Sequence, residues 1–232
     1  PHGGFTASTA FQDSRFCAHC HQFAEDGPRI NGKLQEDTYN QWRASPQSTD
    51  KQCQSCHMPD RKHLWRGIHD PDMTRRAVDI TLDLVDLGGG RHEARATVRN
   101  VGAGHHFPTY MVPKVELIFL VREAGGGTRE LGRSIIGWTV DTGITREIED
   151  TRIPAGASRT FAQRVDMPGK RGWHVELVAR VRPGEHYERI YRDAIVRADS
   201  LPAAVLPQLR QALEQVRAAE YELLRAQARP KD

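Results

Sequence analysis

The four cysteines of the chain stand in two pentapeptides of one pattern, Cys17-Ala18-His19-Cys20-His21 and Cys53-Gln54-Ser55-Cys56-His57. Cys-x-x-Cys-His is the attachment signature of a c-type haem, and its spacing has a physical cause. Two thiols three residues apart lie on one side of a helical turn, within reach of the two vinyl groups of one porphyrin. The histidine that follows sits beneath the iron and supplies its fifth ligand. Two such pentapeptides use every cysteine and leave none over. The expectation is two covalently bound c-type haems, with thioether bonds at Cys17, Cys20, Cys53 and Cys56 and proximal iron ligands at His21 and His57. Two other uses of four cysteines compete, a zinc site of four thiolates and a pair of disulfides. Neither accounts for a histidine after the second cysteine in both pentapeptides.

Each iron needs a sixth ligand or stays open, and histidine is abundant. Of the 11 histidines, six (His2, His19, His21, His57, His63 and His69) fall early in the chain. Met58 adjoins His57 and cannot reach the opposite face of the same iron. His63 and His69 are far enough along to fold back over a porphyrin, and Gly67 lets the chain bend. Asp70 could hold an imidazole by its second nitrogen, as metal-bound histidines require. Of these two, His69 is the favoured distal ligand and His63 the alternative. His2, near the first residue, could serve its own haem or that of a neighbouring molecule. His19 lies inside the attachment loop and reads as solvated. Farther on, Asn100-Val101-Gly102-Ala103-Gly104-His105-His106-Phe107-Pro108-Thr109 combines two glycines that permit close backbone approach with a proline that stiffens the exit. If this loop is extended, His105 and His106 point in opposite directions, and only one of them can ligate a given iron. Met73 and Met111 are minor candidates for a higher-potential haem.

Three stretches must position these residues, and together they predict an α+β fold. Residues 1–76 carry both pentapeptides in short helices and loops, with one helix expected over 35–45 and stopped by Pro46. A region this small buries little apolar surface alone. The porphyrins would form most of its core, packed by Phe16, Phe23, Tyr39, Trp42 and Trp65. Residues 77–196 show period-two alternation instead. Ile80, Leu82 and Leu84 alternate with polar neighbours, as do Ala94, Ala96 and Val98, then Trp173, Val175, Leu177, Ala179 and Val181. Val115 to Val121 is a nearly continuous apolar run, and Gly88-Gly89-Gly90 and Gly125-Gly126-Gly127 supply turns. The pattern is that of an antiparallel, immunoglobulin-like β-sandwich, with His92, His174 and His186 on its surface. Residues 197–232 predict a C-terminal helix from about Leu201 to Ala228, capped by Ser200. Its narrow leucine stripe suits packing on its own molecule or self-association.

Charge and hydropathy remove some classes of function. A net charge of +3 over 232 residues overstates the basicity of the finished protein, because two haems would add about four propionate charges. The arginines are scattered and no basic run is interleaved with aromatics, so nucleic acid is not the expected partner. No apolar stretch approaches the length of a transmembrane segment. The chain starts at Pro1, and an upstream signal peptide, since removed, is expected. Covalent haem attachment takes place outside the cytoplasm, which points to the periplasm or the cell surface.

The chain resembles the multihaem c-type cytochromes of bacterial periplasms and cell surfaces, in the broad cytochrome c-554-like group. The matching pieces are residues 16–23, Thr38-Tyr39-Asn40-Gln41-Trp42-Arg43-Ala44-Ser45, Cys53 through Met58-Pro59, the stretch from His63 to Pro71, and Gly104-His105-His106-Phe107-Pro108-Thr109. The resemblance implies electron transfer through closely spaced haems with histidine on both sides of each iron. It favours His105 as a distal ligand, since the first histidine of Gly-His-x-Phe-Pro-Thr is the more regular one, and leaves His106 as the alternative. Tyr110 stands where a glycine is common, and members of the group often carry further attachment motifs upstream. The leading expectation is a di-haem electron carrier that needs redox partner proteins, or copies of itself joined into a homo-oligomer or filament through haem contacts and the C-terminal helix. The alternative is a haem enzyme or gas sensor with one open iron acting on nitrogen oxides or peroxide. No separate catalytic constellation is present.

Overall fold

The computed structural model describes residues 3–62, 64, 66–167, 171–197, 202 and 204–230. His2, His63, Trp65, Ser200 and Leu201 lie outside the described residues.

The first 77 residues form short elements with small apolar content. Helices α1 (Ser14–His21) and α3 (Cys53–His57) each carry one attachment pentapeptide. The Asp13 carboxylate caps α1 by accepting from the Arg15 N–H, as a short acidic residue does at a helix start. Between these helices lies a hairpin of β1 (Arg29–Ile30) and β2 (Lys33–Leu34). Its two turn residues, Asn31 and Gly32, sit at φ of 50° and 76°, the left-handed pair that a tight hairpin requires. Helix α2 (Thr38–Arg43) occupies the middle of the stretch expected to be helical, but is shorter than 35–45. Pro46 opens a separate 3₁₀ turn. Helix α4 (Pro71–Ala77) has proline in its first turn and Asp70 as its cap, and runs into the next strand without a linker.

Two antiparallel sheets follow. One has the order β3 (Val78–Gly88), β4 (Arg91–Asn100), β9 (Ser158–Asp166). The other has the order β11 (Tyr221–Ala228), β10 (His174–Arg182), β5 (Lys114–Arg122), β6 (Thr128–Ile136). Strands β7 (Trp138–Val140) and β8 (Glu147–Asp150) pair with each other beside them. The inward residues of both sheets share one core: Ala94, Ala96 and Val98 meet Val115, Leu117, Phe119, Val121, Val175, Leu177, Ala179 and Val181. All of these residues belong to the alternating stretches or to the apolar run read as strands from the sequence. A second, smaller cluster joins Ile30 of the hairpin to Met111, Val112, Trp138 and Val140.

The α+β class stands, and three details differ from expectation. Residues 185–196 are a helix, α5 (Glu185–Val196), rather than more sheet. His186 at its start is buried, not on the surface. Its backbone N–H donates to the Val112 carbonyl and its ring Nδ1 lies 3.0 Å from the Arg189 guanidinium. The C-terminal helix, α6 (Val205–Ala218), stops ten residues short of Ala228, and Tyr221–Ala228 is strand β11. Strand pairing overrides helical propensity here. Leu223 turns into the core, while Arg225 reaches outward to Glu176. Val216 of α6 packs over Gly184 at the start of α5, where an added Cβ would lie 2.8 Å from it.

Candidate haem-binding centre

The two attachment helices are pinned together at their starts. Ser14 donates to the side-chain oxygen of Gln52, Oε1, through its backbone N–H and its hydroxyl, at 2.8 and 2.7 Å. The Ser14 hydroxyl oxygen in turn accepts from the Cys53 N–H at 2.9 Å. Gln54 donates to the carbonyls of Phe11 and Asp13 at 2.8 and 2.9 Å. This lacing brings the leading cysteines of the two pentapeptides, Cys17 and Cys53, close enough to influence each other electrostatically. Burial, and then the neighbouring Cys53 thiol, push Cys17 up to about 11, so it is held as the neutral thiol. All four cysteines are free, with Cys20 and Cys56 exposed. Among the described residues, no three histidine, cysteine or carboxylate side chains converge as a metal cluster.

His57, the last residue of α3, is half-buried and has a defined tautomer. Its Nδ1 lies 2.7 Å from the Arg66 carbonyl oxygen. A carbonyl only accepts, so Nδ1 carries the proton and Nε2 keeps its lone pair. The carbonyl of Arg66 fixes the His57 ring, and Asp70, expected to hold the imidazole of a distal ligand, is engaged elsewhere. The Asp70 carboxylate instead accepts from the Asp72 and Met73 N–H groups as the cap of α4.

His105 faces His57. The two rings lie nearly parallel, 15° apart in plane and 6.2 Å apart between centroids. His105 has the same tautomer, its Nδ1 donating to the His106 carbonyl at 2.8 Å. Burial pushes its imidazole down to about 4, opposed by that hydrogen bond and reinforced by His57, His106 and His21. It is therefore neutral at ordinary pH, with Nε2 unprotonated. Two imidazoles on opposite sides of one metal, at about 2.0–2.1 Å per nitrogen, have ring centres roughly 6 Å apart. The donor set of Cys53, Cys56, His57 and His105 fits a covalently attached haem.

The loop carrying His105 is held from several sides. Asn100, fully buried, donates through its amide to the carbonyls of His105 and Ile153 at 2.8 and 3.0 Å. Phe107 is buried and exchanges two backbone hydrogen bonds with Ile153, and its peptide bond to Pro108 is cis. Gly102 lies so close to α4 that an added Cβ would fall 2.1 Å from the Arg76 carbonyl oxygen. From α2, Gln41 accepts from the His106 N–H at 3.0 Å and from the Thr109 hydroxyl at 2.9 Å.

Among the described residues the remaining candidates form no second pair of this kind. His106 turns the other way, toward Arg152, Asp150, Asp37 and Lys33; burial first, then Arg152, lowers its basicity. Its buried Nδ1 has no hydrogen-bond partner. His21 ends α1 and is exposed, and among the described residues no ring faces it as His105 faces His57. His69 is exposed in the turn before α4. Phe11 and Phe16 touch at 4.5 Å between centroids and, with Phe23, remain largely open to solvent beside the first pentapeptide. Gln41, Asn100 and the Arg66 carbonyl were not singled out from the sequence. No residue pattern links positions so far apart.

No protein-family model matches the chain, and no curated protein matches its sequence. Among solved structures it is similar to a penta-haem cytochrome c552 from Thermochromatium tepidum, with a TM-score of 0.61 and 18% identity. The match covers 93% of this chain and 55% of that one, so this chain spans little more than half of that cytochrome's length. A partial match to the ApaA protein of Bordetella pertussis covers 45% of this chain and 76% of that one, with 12% identity and a TM-score of 0.23, too low to bear on the fold.

Proposed function

We propose that the chain is a di-haem electron-transfer protein that works outside the cytoplasm. One haem is attached at Cys17 and Cys20 with His21 as proximal ligand, and the second at Cys53 and Cys56 with His57. The observation that carries this reading is the parallel facing of His57 and His105 at 6.2 Å, each with Nδ1 tied to a backbone carbonyl. The fold likeness to a penta-haem cytochrome supports it.

A c-type haem supplies a one-electron couple at its iron. The chain's contribution would be to fix the imidazoles of His57 and His105 in advance. The carbonyls of Arg66 and His106 set the tautomers and ring orientations, so neither side chain must turn or exchange a proton between oxidation states. Burial keeps His105 neutral and therefore ready to ligate. Imidazole on both sides, in place of imidazole and thioether, sets a low potential. The lacing of α1 to α3 brings the two attachment sites together, which suits passage of an electron between them. His69, His63 and His2 are the histidines available to the first iron. Two haems move charge only a short distance, so a redox partner protein is required. A further copy of the chain, joined head to tail, would serve and would extend as a filament.

The exposure of His21 favours a second reading, in which the first iron stays open and binds nitrogen oxides or peroxide. Intact mass with a haem count, followed by electron paramagnetic resonance of the ferric protein, separates the two. Two haems, both low-spin and indifferent to cyanide and nitric oxide, are expected of the carrier. One stoichiometric high-spin iron would give the second reading instead, and absence of covalent haem would end both.

A further inference from the structure

The reading of His57 and His105 as ligands of one iron leaves a question of placement. His57 belongs to α3 and His105 to a loop after β4, and nothing covalent holds them in register. We propose that Gln41 is the positioning residue of the His105 ligand. From α2, it clamps the His105 loop so that the imidazole stays opposite His57. The inference rests on that ligand reading and deepens it.

The contacts make Gln41 a two-pronged acceptor. Its side-chain oxygen takes the His106 backbone N–H at 3.0 Å and the Thr109 hydroxyl at 2.9 Å. A backbone N–H can only donate, so the orientation of the Gln41 amide is settled by chemistry. The two donors flank the cis Phe107–Pro108 unit, one adjoining His105 and the other closing the loop. With the Thr109 proton given to Gln41, the Thr38 hydroxyl 2.7 Å away has one proton, for Thr109 or for Glu36. Through Gln41 the loop is tied twice to α2. At Gly104 an added Cβ would lie 3.2 Å from both Trp42 and Gln47, so the backbone lies against this helix. Gln41 is hydrogen-bonded to His106 and Thr109, on the His105 loop but not to the ligand ring itself. It acts through the His106 backbone N–H and the Thr109 hydroxyl.

The test compares Gln41→Met, which keeps the length and removes the acceptor, with Gln41→Glu, which keeps the acceptor. Holoprotein of each is reduced with dithionite and mixed with carbon monoxide, which reaches a bis-imidazole iron only while one imidazole is off. Losing two hydrogen bonds raises the open fraction, and with it the observed binding rate, by about tenfold to thirtyfold in Q41M, while Q41E stays within about threefold of the parent. The ferric spectrum of Q41M gains a high-spin component confined to one of the two haems. Equal carbon monoxide rates in Q41M and parent overturn the proposal, as do equal defects in Q41M and Q41E, which would make Gln41 a general structural residue. If Q41M yields too little holoprotein, Gln41→Asn, which retracts the acceptor by one methylene, is read in the same way. His105→Ala is the control for the underlying reading. If it leaves both irons low-spin, the ligand assignment and the Gln41 proposal fall together. If it opens one iron while Q41M does not, only the Gln41 proposal falls.

Discussion

His105 and His106 are adjacent in sequence and meet opposite surroundings. His105 lies against His57 with its Nδ1 bonded to a carbonyl, while His106 faces Arg152 and Asp150. Replacing each by alanine should therefore have unlike effects. His105→Ala is expected to convert one haem of the two to high-spin in the ferric state and to open it to carbon monoxide. His106→Ala is expected to leave the spin state unchanged, because only its ring is removed while its backbone N–H and carbonyl remain. Electron paramagnetic resonance on both variants checks the pair; a high-spin signal in H106A of the same size would reverse the assignment. The opposition of these two rings was legible locally, since neighbouring side chains on extended backbone point to opposite sides. Which partner His105 would meet was not, because His57 comes from another helix and only the tertiary fold places it. His69, favoured on its reach along the chain with Gly67 and Asp70 beside it, is exposed in the turn before α4. Reach along the chain sets a limit on what can meet and does not choose among candidates.

At the level of elements, the alternating strands β3, β4 and β10 and the apolar run of β5 came through from sequence because burial writes itself into a period of two. The end of the chain did not. Residues 221–228 are composed of good helix formers, and their strand state comes from pairing with β10, which local propensity does not encode. The loop that carries His105 is likewise an element-level product. Val101 and Gly102 both donate to the Ala77 carbonyl, and Gly102 leaves no room for a side chain beside Arg76. Gly102→Ala forces backbone apart and should cost about 2–3 kcal/mol, seen as a fall in melting temperature of roughly 5–10 °C by circular dichroism. Gly104→Ala meets side-chain atoms at 3.2 Å that can give slightly, and the fall should be smaller. A reversed order would mean that the approach to α4 does not set the loop.

Across the whole molecule, the attachment region borrows its support from the two sheets. Ile30 completes a cluster with Trp138 and Val140, and the Tyr221 hydroxyl of β11 donates to the Ile68 carbonyl and contacts the Thr74 hydroxyl, both at 2.8 Å. Lys33 pairs with Glu147 and Asp150 at 2.7 Å each. Asp150 also holds Arg152, which lies over the Trp138 ring at 4.4 Å and donates to the Thr109 carbonyl at 2.7 Å. One carboxylate thus connects the β1–β2 hairpin, β8 and the loop bearing His105. Burial would raise Asp150, but hydrogen bonds from Arg152 and Lys33 outweigh it and hold the group below the usual carboxylate range. A carboxyl depressed by folding adds stability that is fully present above its unfolded value, about 3.9, and is lost progressively as pH falls below it. Asp150→Asn removes that contribution, so the parent should melt roughly 3–8 °C above the variant at neutral pH. The gap should hold from pH 7 to about 4 and narrow below that, when the parent loses the same charge by protonation. Depressed carboxylates away from this junction, such as Asp141, Glu176 and Glu188, weaken both proteins together in acid and cancel in the difference. Thermal melts of the two holoproteins at stepped pH give the gap directly. A gap that stays constant below pH 4 would show that the Asp150 charge does not hold the junction.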